Sequence, residues 1–241
     1  TDTIAAGDSI RLSMGIENLS ETEGDSLLIK YSILDQNRNT INVLQQRNRK
    51  MNSNDTLISS VNFDTKNYKG TNTLVIDVNP DYDQPEQYRF NNIGILSVYV
   101  KSDNINPLLD VTFDNVHILD GDIISPSPLI AIKVTDENKF IAMDDTSSVS
   151  VYLKNPSGNF IRLNYSDGDV IFFPADLSKE NSASVEYNPV FEEDGIYQLK
   201  VDAQDASENR SGKYSYVVSF EIINNSTITN IINFPNPFST S

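Results

Sequence analysis

Oxygen-bearing side chains stand on alternate residues in the run Asp77-x-Asn79-x-Asp81-x-Asp83. Such a run can wrap a hard cation where the chain turns, because calcium takes roughly six to eight oxygen ligands and tolerates irregular geometry. It is not an EF-hand. Pro80 interrupts it, Tyr82 stands where the sixth-position glycine belongs, and Tyr88 where the bidentate glutamate belongs. The competing reading is a turn held by Asx caps, and the residues favour it. Two further acidic clusters lie later in the chain: Asp136, Glu137, Asp144 and Asp145, then Asp202, Asp205, Glu208 and Asn209. Two loops at one end of a sandwich could converge on a cation, and spacing alone leaves that open. Calcium is therefore the one cofactor considered, with Asp77, Asn79, Asp81, Asp83, Asp202 and Asp205 as its candidate ligands; otherwise no cofactor is expected.

Other chemistry is sparse. The single histidine, His117, lies in the extended run Phe113-Asp-Asn-Val-His-Ile-Leu119, without the strand–turn–helix motif that exposes a serine nucleophile. There is no cysteine, which excludes disulfides, thiolate metal sites and a thiol nucleophile within these residues. No catalytic residue is assigned. Tyr82, Tyr88 and Phe90 fall among Asp, Gln and Glu, a mixture suited to stacking on a sugar or to meeting a protein partner. Packing of Tyr88 and Phe90 beneath their own loop is the favoured alternative.

The elements that must position these groups are strands. Ile10, Leu12, Met14 and Ile16 alternate with Arg11, Ser13 and Gly15; Leu27, Ile29, Tyr31 and Ile33 repeat the pattern, as do Leu74, Ile76 and Val78. A period of two marks half-buried strands. Ile93 and Ile95 begin another, continuing either through Ser97 and Tyr99 or by a switch to Leu96, Val98 and Val100. Turn formers cluster at Glu21–Asp25, Gln36–Asn39, Met51–Asp55 and Asn67–Thr71. A polar break at Asp103-Asn-Ile-Asn-Pro107 precedes a second series: Val111/Phe113, Ile130/Ile132/Val134, Val149/Val151/Leu153, then Val170/Phe172 or Ile171/Phe173. Val185/Tyr187, Tyr197/Leu199/Val201 and Tyr216/Val218/Phe220 complete it. The expectation is an all-β chain of two tandem Ig-like antiparallel β-sandwiches over 1–105 and 107–224, joined by a short hinge near Asn104–Pro107, with 225–241 opening a further module. Pro126 and Pro128 are placed to guard an edge. Asp194-Gly195-Ile196-Tyr197 stands where a tyrosine corner would, an ordinary core tyrosine being the alternative.

Formal net charge is −16 over 241 residues. The acidity repels phosphate backbones, so no nucleic-acid partner is expected, and no apolar run approaches the ~20 residues of a membrane helix.

Particular residues carry a family resemblance. Asp77-Val-Asn-Pro-Asp81, then Glu86, Asn91-Asn92 and a last strand resemble the end of a CARDB (cell-adhesion-related) domain over roughly residues 8–103, although Arg89 stands where the second glutamate is expected. Asp136-Glu-Asn138, Asp145-Thr146, Asp194-Gly-Ile-Tyr197 and Asp205-Ala-Ser-Glu-Asn209 are similar to positions of the Ig-like domain that follows in large surface proteins of Bacteroidetes. Phe234-Pro-Asn-Pro-Phe238 resembles the opening of a C-terminal β-domain. In that order, these segments resemble the C-terminal region of a gingipain-type (family C25) peptidase-like, sortase-like protein of the type IX secretion and gliding system. The resemblance implies non-catalytic spacer or interaction modules at the bacterial cell surface or outside it. Their partners would be neighbouring domains of the same polypeptide and surface or secretion-system proteins, without membrane insertion. Any catalytic Cys/His pair would lie upstream. A calcium-dependent adhesion or glycan-binding module is the alternative.

Overall fold

A computed structural model describes residues 2–86 and 88–224. The chain is all-β, with two single-turn 3-10 segments, and divides into two compact units, Thr1–Asn104 and Ile105–Ser241. The segment Phe234–Phe238, read above as opening a further module, lies outside the described residues. Among the described residues no helix is long and apolar enough to cross a membrane.

The first unit contains β1 (Asp2–Ala5), β2 (Ser9–Glu17), β3 (Leu28–Leu34), β4 (Thr40–Arg47), β5 (Thr56–Asp64), β6 (Gly70–Val78) and β7 (Ile93–Lys101). One sheet runs in the order β1-β7-β6-β3-β4; β2 and β5 form the other. β1 is parallel to β7. The cause is a kink at Gly7, whose φ of 86° suits glycine and whose N–H donates to Thr65 Oγ at 3.1 Å. The kink carries the chain from one sheet to the other, so β1 returns to the far edge of the larger sheet. Ile29, Tyr31 and Ile33 of β3 are buried in the core, as are Leu57, Val61 and Phe63 of β5. Tyr31 meets Phe63 edge-on, with ring centroids 6.4 Å apart, and its hydroxyl hydrogen-bonds Ser59 Oγ across the sheets at 2.9 Å. That bond explains a buried serine among alternating apolar residues.

β7 settles the alternative left open by its sequence. Val98 and Val100 are buried with Leu96 beside them, whereas Ile95 is 70% exposed and Ile93 and Tyr99 also face outward. Pairing decides this: Leu96 lies opposite the core residue Leu74, so a period of two puts Ile93 and Ile95 on the outer face.

The second unit contains β8 (Leu108–Phe113), β9 (Asp122–Ile124), β10 (Ile130–Thr135), β11 (Val149–Lys154), β12 (Phe160–Arg162), β13 (Val170–Phe173), β14 (Ser182–Tyr187), β15 (Gly195–Ala203) and β16 (Tyr216–Ile222). Its sheets run β13-β14-β10-β8 and β12-β11-β15-β16-β9. β9 is parallel to β16, and Pro126 and Pro128 follow this edge strand directly. Val170 and Phe172 turn inward and Ile171 and Phe173 outward. Between the sheets an aromatic cluster forms from Phe113, Phe191, Tyr197 and Phe220, with centroid separations from 4.6 to 5.8 Å. Tyr197 is a tyrosine corner. Its ring is buried in this cluster, and its hydroxyl donates to the carbonyl of Glu193, four residues upstream, at 2.9 Å. Burial, with the charges of Glu193 and Asp194 nearby, raises its phenol above the ordinary value.

Candidate functional site

In the first unit the loop between β6 and β7 begins at Asn79, which is only 1% exposed and adopts φ 58°. Asn79 Nδ2 donates to the carbonyl of Gln84 at 2.9 Å, and Asn79 Oδ1 accepts from the N–H of Gln84 at 3.1 Å. Both ends of the amide therefore hold its own loop closed. Asp83 pairs with Arg47 Nη1 at 2.6 Å, Asp77 lies on β6 between the register partners Lys30 and Ile93, and Asp81 faces solvent. Among the described residues, Asp77, Asp81 and Asp83 do not gather within ligand distance of one another. The Asx-turn reading describes this loop.

The same loop overturns the expectation that its aromatics pack beneath it. Phe90 is 83% exposed, and Tyr82 and Tyr88 also stand in solvent. The core below is already closed by β3 and β6, and the loop's inward side is occupied by amides and Asn92 Nδ2, which donates to Glu86 Oε2 at 2.6 Å. Outside, the Arg89 guanidinium stacks 4.0 Å from the Tyr82 ring centre, and Tyr88 and Phe90 lie 5.8 Å apart.

In the second unit the loop between β15 and β16 is organised by Asp205, which is 2% exposed. Its Oδ1 accepts from the N–H groups of Ser207 and Asn209, both at 2.8 Å, and its Oδ2 from Asn209 Nδ2 at 2.8 Å. Glu208 takes φ 70° at the turn. The loop is pinned at both flanks, Gln204 N–H donating to the Ser148 carbonyl and Ser211 N–H to the Ala203 carbonyl, each at 2.9 Å. Asp202, expected as a calcium ligand beside Asp205, faces elsewhere: it accepts from Ser215 Oγ at 2.5 Å and pairs with Lys200 Nζ at 3.2 Å.

Two of the later acidic clusters do meet, through one residue each. Asp136, 6% exposed, and Asp205 bring carboxylate oxygens within 4.8 Å. Buried Asn181 secures the Asp136 loop by donating to Asp136 Oδ2 and to the carbonyls of Asn138 and Ile141, and by accepting from Met143 N–H. Glu137, Asp144 and Asp145 are exposed. Asp145 caps a 3-10 turn, and the Ser147 N–H that it accepts holds its carboxyl below the ordinary value. No signal in the sequence singled out Asn181, because a buried asparagine reads locally like any turn asparagine.

His117 Nε2 lies 2.6 Å from Asp110 Oδ1 of β8, with its side chain 72% exposed. The tight turn that brings them together has Asp114 and Asn115 both at positive φ. A His–Asp pair can orient an imidazole as a base, but among the described residues no hydroxyl hydrogen-bonds the ring.

No model of a known protein family matches the chain, and no curated protein does. Among solved structures, dimeric latent PorU from Porphyromonas gingivalis aligns with 94% of this chain and 23% of its own, at 10% identity and a TM-score of 0.38. Red sea bream transglutaminase aligns with 91% of this chain and 30% of its own, at 9% identity and a TM-score of 0.32. The chain thus spans less than a third of either protein. At these scores the likenesses assign neither family nor activity.

Proposed function

We propose that this chain is a pair of non-catalytic Ig-like modules serving as spacer and interaction units of a larger exported or cell-surface protein of the type IX secretion and gliding kind. One observation carries the reading: in each unit a buried polar residue that suggests chemistry in the sequence closes its own loop instead. Asn79 clasps Gln84, Asp205 clasps Ser207 and Asn209, and Asp83 and Asp202 have cationic partners. The CARDB-like and Ig-like residue patterns support the surface context. The test is replacement of either unit, within the full-length protein, by an unrelated sandwich of equal length. Surface display and activity of the neighbouring domains are expected to persist. Peptidase turnover by the isolated chain, or loss of the neighbours' activity on replacement, would overturn the proposal.

The convergence of Asp136 and Asp205 supports a second reading, a calcium-dependent module in the second unit. Carboxylate oxygens within 4.8 Å of each other can share one hard cation. A cation specific to the folded state must raise the melting temperature. Melting in millimolar Ca2+ and in chelator should then differ, and the difference should vanish in Asp205→Asn. Identical curves would remove this reading and leave the spacer reading intact.

A further inference from the structure

The second unit is strongly acidic, with 8 Lys+Arg against 20 Asp+Glu over residues 105–241, yet three of those cations, Lys200, Arg210 and Lys213, line one groove, and a fourth, Arg162, bonds its Ser150. Its floor is the outer face of the sheet at β11 and β15. Register sets Arg162, Tyr152 and Lys200 side by side across β12, β11 and β15. Its wall is the loop held by Asp205, which presents Arg210, Lys213 and Tyr214. The groove encloses about 490 Å³, within the range of small-ligand sites. Asp202 is the one carboxylate among its lining residues, and it is already engaged by Lys200 and Ser215.

We propose that this groove binds an acidic saccharide, a carboxylate- or sulfate-bearing sugar. Each part of the lining matches a part of such a ligand. Lys200, Arg210 and Lys213 supply charge-assisted donors for the acidic group. The lining Tyr214 offers a ring face beside a cation, Lys213 Nζ lying 5.4 Å from its centre; next to the groove, Lys200 Nζ lies 4.7 Å from the Tyr152 ring centre. Tyr214 is among the most exposed aromatics of the chain and contributes little to the core. Serine hydroxyls along the groove, Ser150 among them at 3.1 Å from Arg162 Nη2, suit the sugar's own hydroxyls.

The alternatives fit less well. A nucleic acid carries its charge along a backbone that would extend past the groove over a surface of net negative charge. An acidic peptide would gain affinity by adding a strand to a free edge, but β11 and β15 are paired on both sides. A short ligand with one or two acidic groups meets the cations without crossing the acidic surroundings.

The test is calorimetric titration of the whole chain at low salt with a tetragalacturonate and with a heparin-derived tetrasaccharide. A neutral galactose tetrasaccharide and a tetraglutamate peptide serve as comparators. At least one acidic sugar is expected to bind with one-to-one stoichiometry and to weaken as salt rises. Arg210→Ala with Lys213→Ala should lower its affinity about tenfold, the loss of a charge-assisted bond, and Tyr214→Ala several-fold. These side chains are exposed, so folding is checked simply by an unchanged far-UV circular dichroism spectrum. Lys133→Ala with Lys179→Ala, on cations paired with Glu180 and Asp176 elsewhere, should leave affinity unchanged. Amide shifts on binding should centre on Tyr152, Lys200 and Gly212. Absence of binding by both acidic sugars, equal binding of the neutral sugar or the peptide, unaltered affinity in the Arg210/Lys213 variant, or shifts centred on the Tyr82–Phe90 loop would each overturn the proposal.

Discussion

The β6–β7 loop of the first unit and the β15–β16 loop of the second unit are closed in the same way and present different surfaces. The first carries a net negative charge and the second none, but both are organised by a buried Asx side chain that hydrogen-bonds residues two to five positions on. The first then presents Tyr82, Tyr88 and Phe90; the second presents Arg210 and Lys213. The difference shows that the Asx residue specifies the loop's shape and leaves its chemistry to residues that do not hold it closed. An oxygen-rich spacing is therefore a poor guide to a metal site when the same oxygens are the natural acceptors for the loop's own N–H groups.

Breaking the two clasps gives the largest expected effects. Asp205→Ala removes three hydrogen bonds to a buried carboxylate and should destabilise the second unit by about 3 kcal/mol, read by denaturant unfolding. Asp205→Asn keeps an Oδ1 acceptor and removes a negative charge beside Asp136, so it should cost less than half as much. Asn79→Ala should cost the first unit about 2 kcal/mol, and Asn79→Gly less, because glycine accepts the positive φ. If Asn79→Gly proved no milder than Asn79→Ala, backbone strain would not contribute to this clasp and the two loops would differ in origin.

The cores allow a finer comparison. Tyr31→Phe strands Ser59 Oγ without its partner and should cost about 1 kcal/mol; Tyr31→Phe with Ser59→Ala should recover most of it, because neither polar group is then left buried. Tyr197→Phe should cost a similar amount without rescue, since the acceptor is the backbone carbonyl of Glu193. A double variant of Tyr31 and Ser59 as unstable as Tyr31→Phe would mean that packing at Tyr31, rather than its hydrogen bond, accounts for the loss.

Much of the fold was legible because alternation is strict wherever a strand has one dry face. β3, β6, β10, β11 and β15 are of this kind. β5 was obscured by Ser59, an inward polar residue that makes sense only once Tyr31 stands opposite, and β4 by its exposure on nearly every residue. The outward turn of Ile93 and Ile95 was illegible because both faces of β7 are apolar and only pairing with Leu74 chooses between them. The site was less legible still. The cations in and beside the groove are scattered over Arg162, Lys200, Arg210 and Lys213, and meet through register and the Asp205 turn. Local spacing carries neither.

Alkaline titration offers the smallest effect at neutral pH and the most specific one. Burial pushes the phenols of Tyr165 and Tyr187 in the second unit up to about 12, the nearby charge of Asp169 adding to the second. An unfolded tyrosine ionises near pH 10. Below that value both states hold the proton and stability is independent of these groups. Between about pH 10 and 12 the unfolded chain loses its protons first, binds fewer than the folded one, and is favoured, so stability must fall as pH rises. The hydroxyl of Tyr165 donates to the Val149 carbonyl at 2.6 Å, a bond that only the protonated form can make. Tyr165→Phe should therefore flatten part of the decline seen when melting of the second unit is followed from pH 9 to 12. An equally steep decline in that variant would place the alkaline sensitivity in Tyr187 or Tyr197, nearer the aromatic cluster, and would make the corner rather than the 3-10 turn the alkaline weak point of this unit.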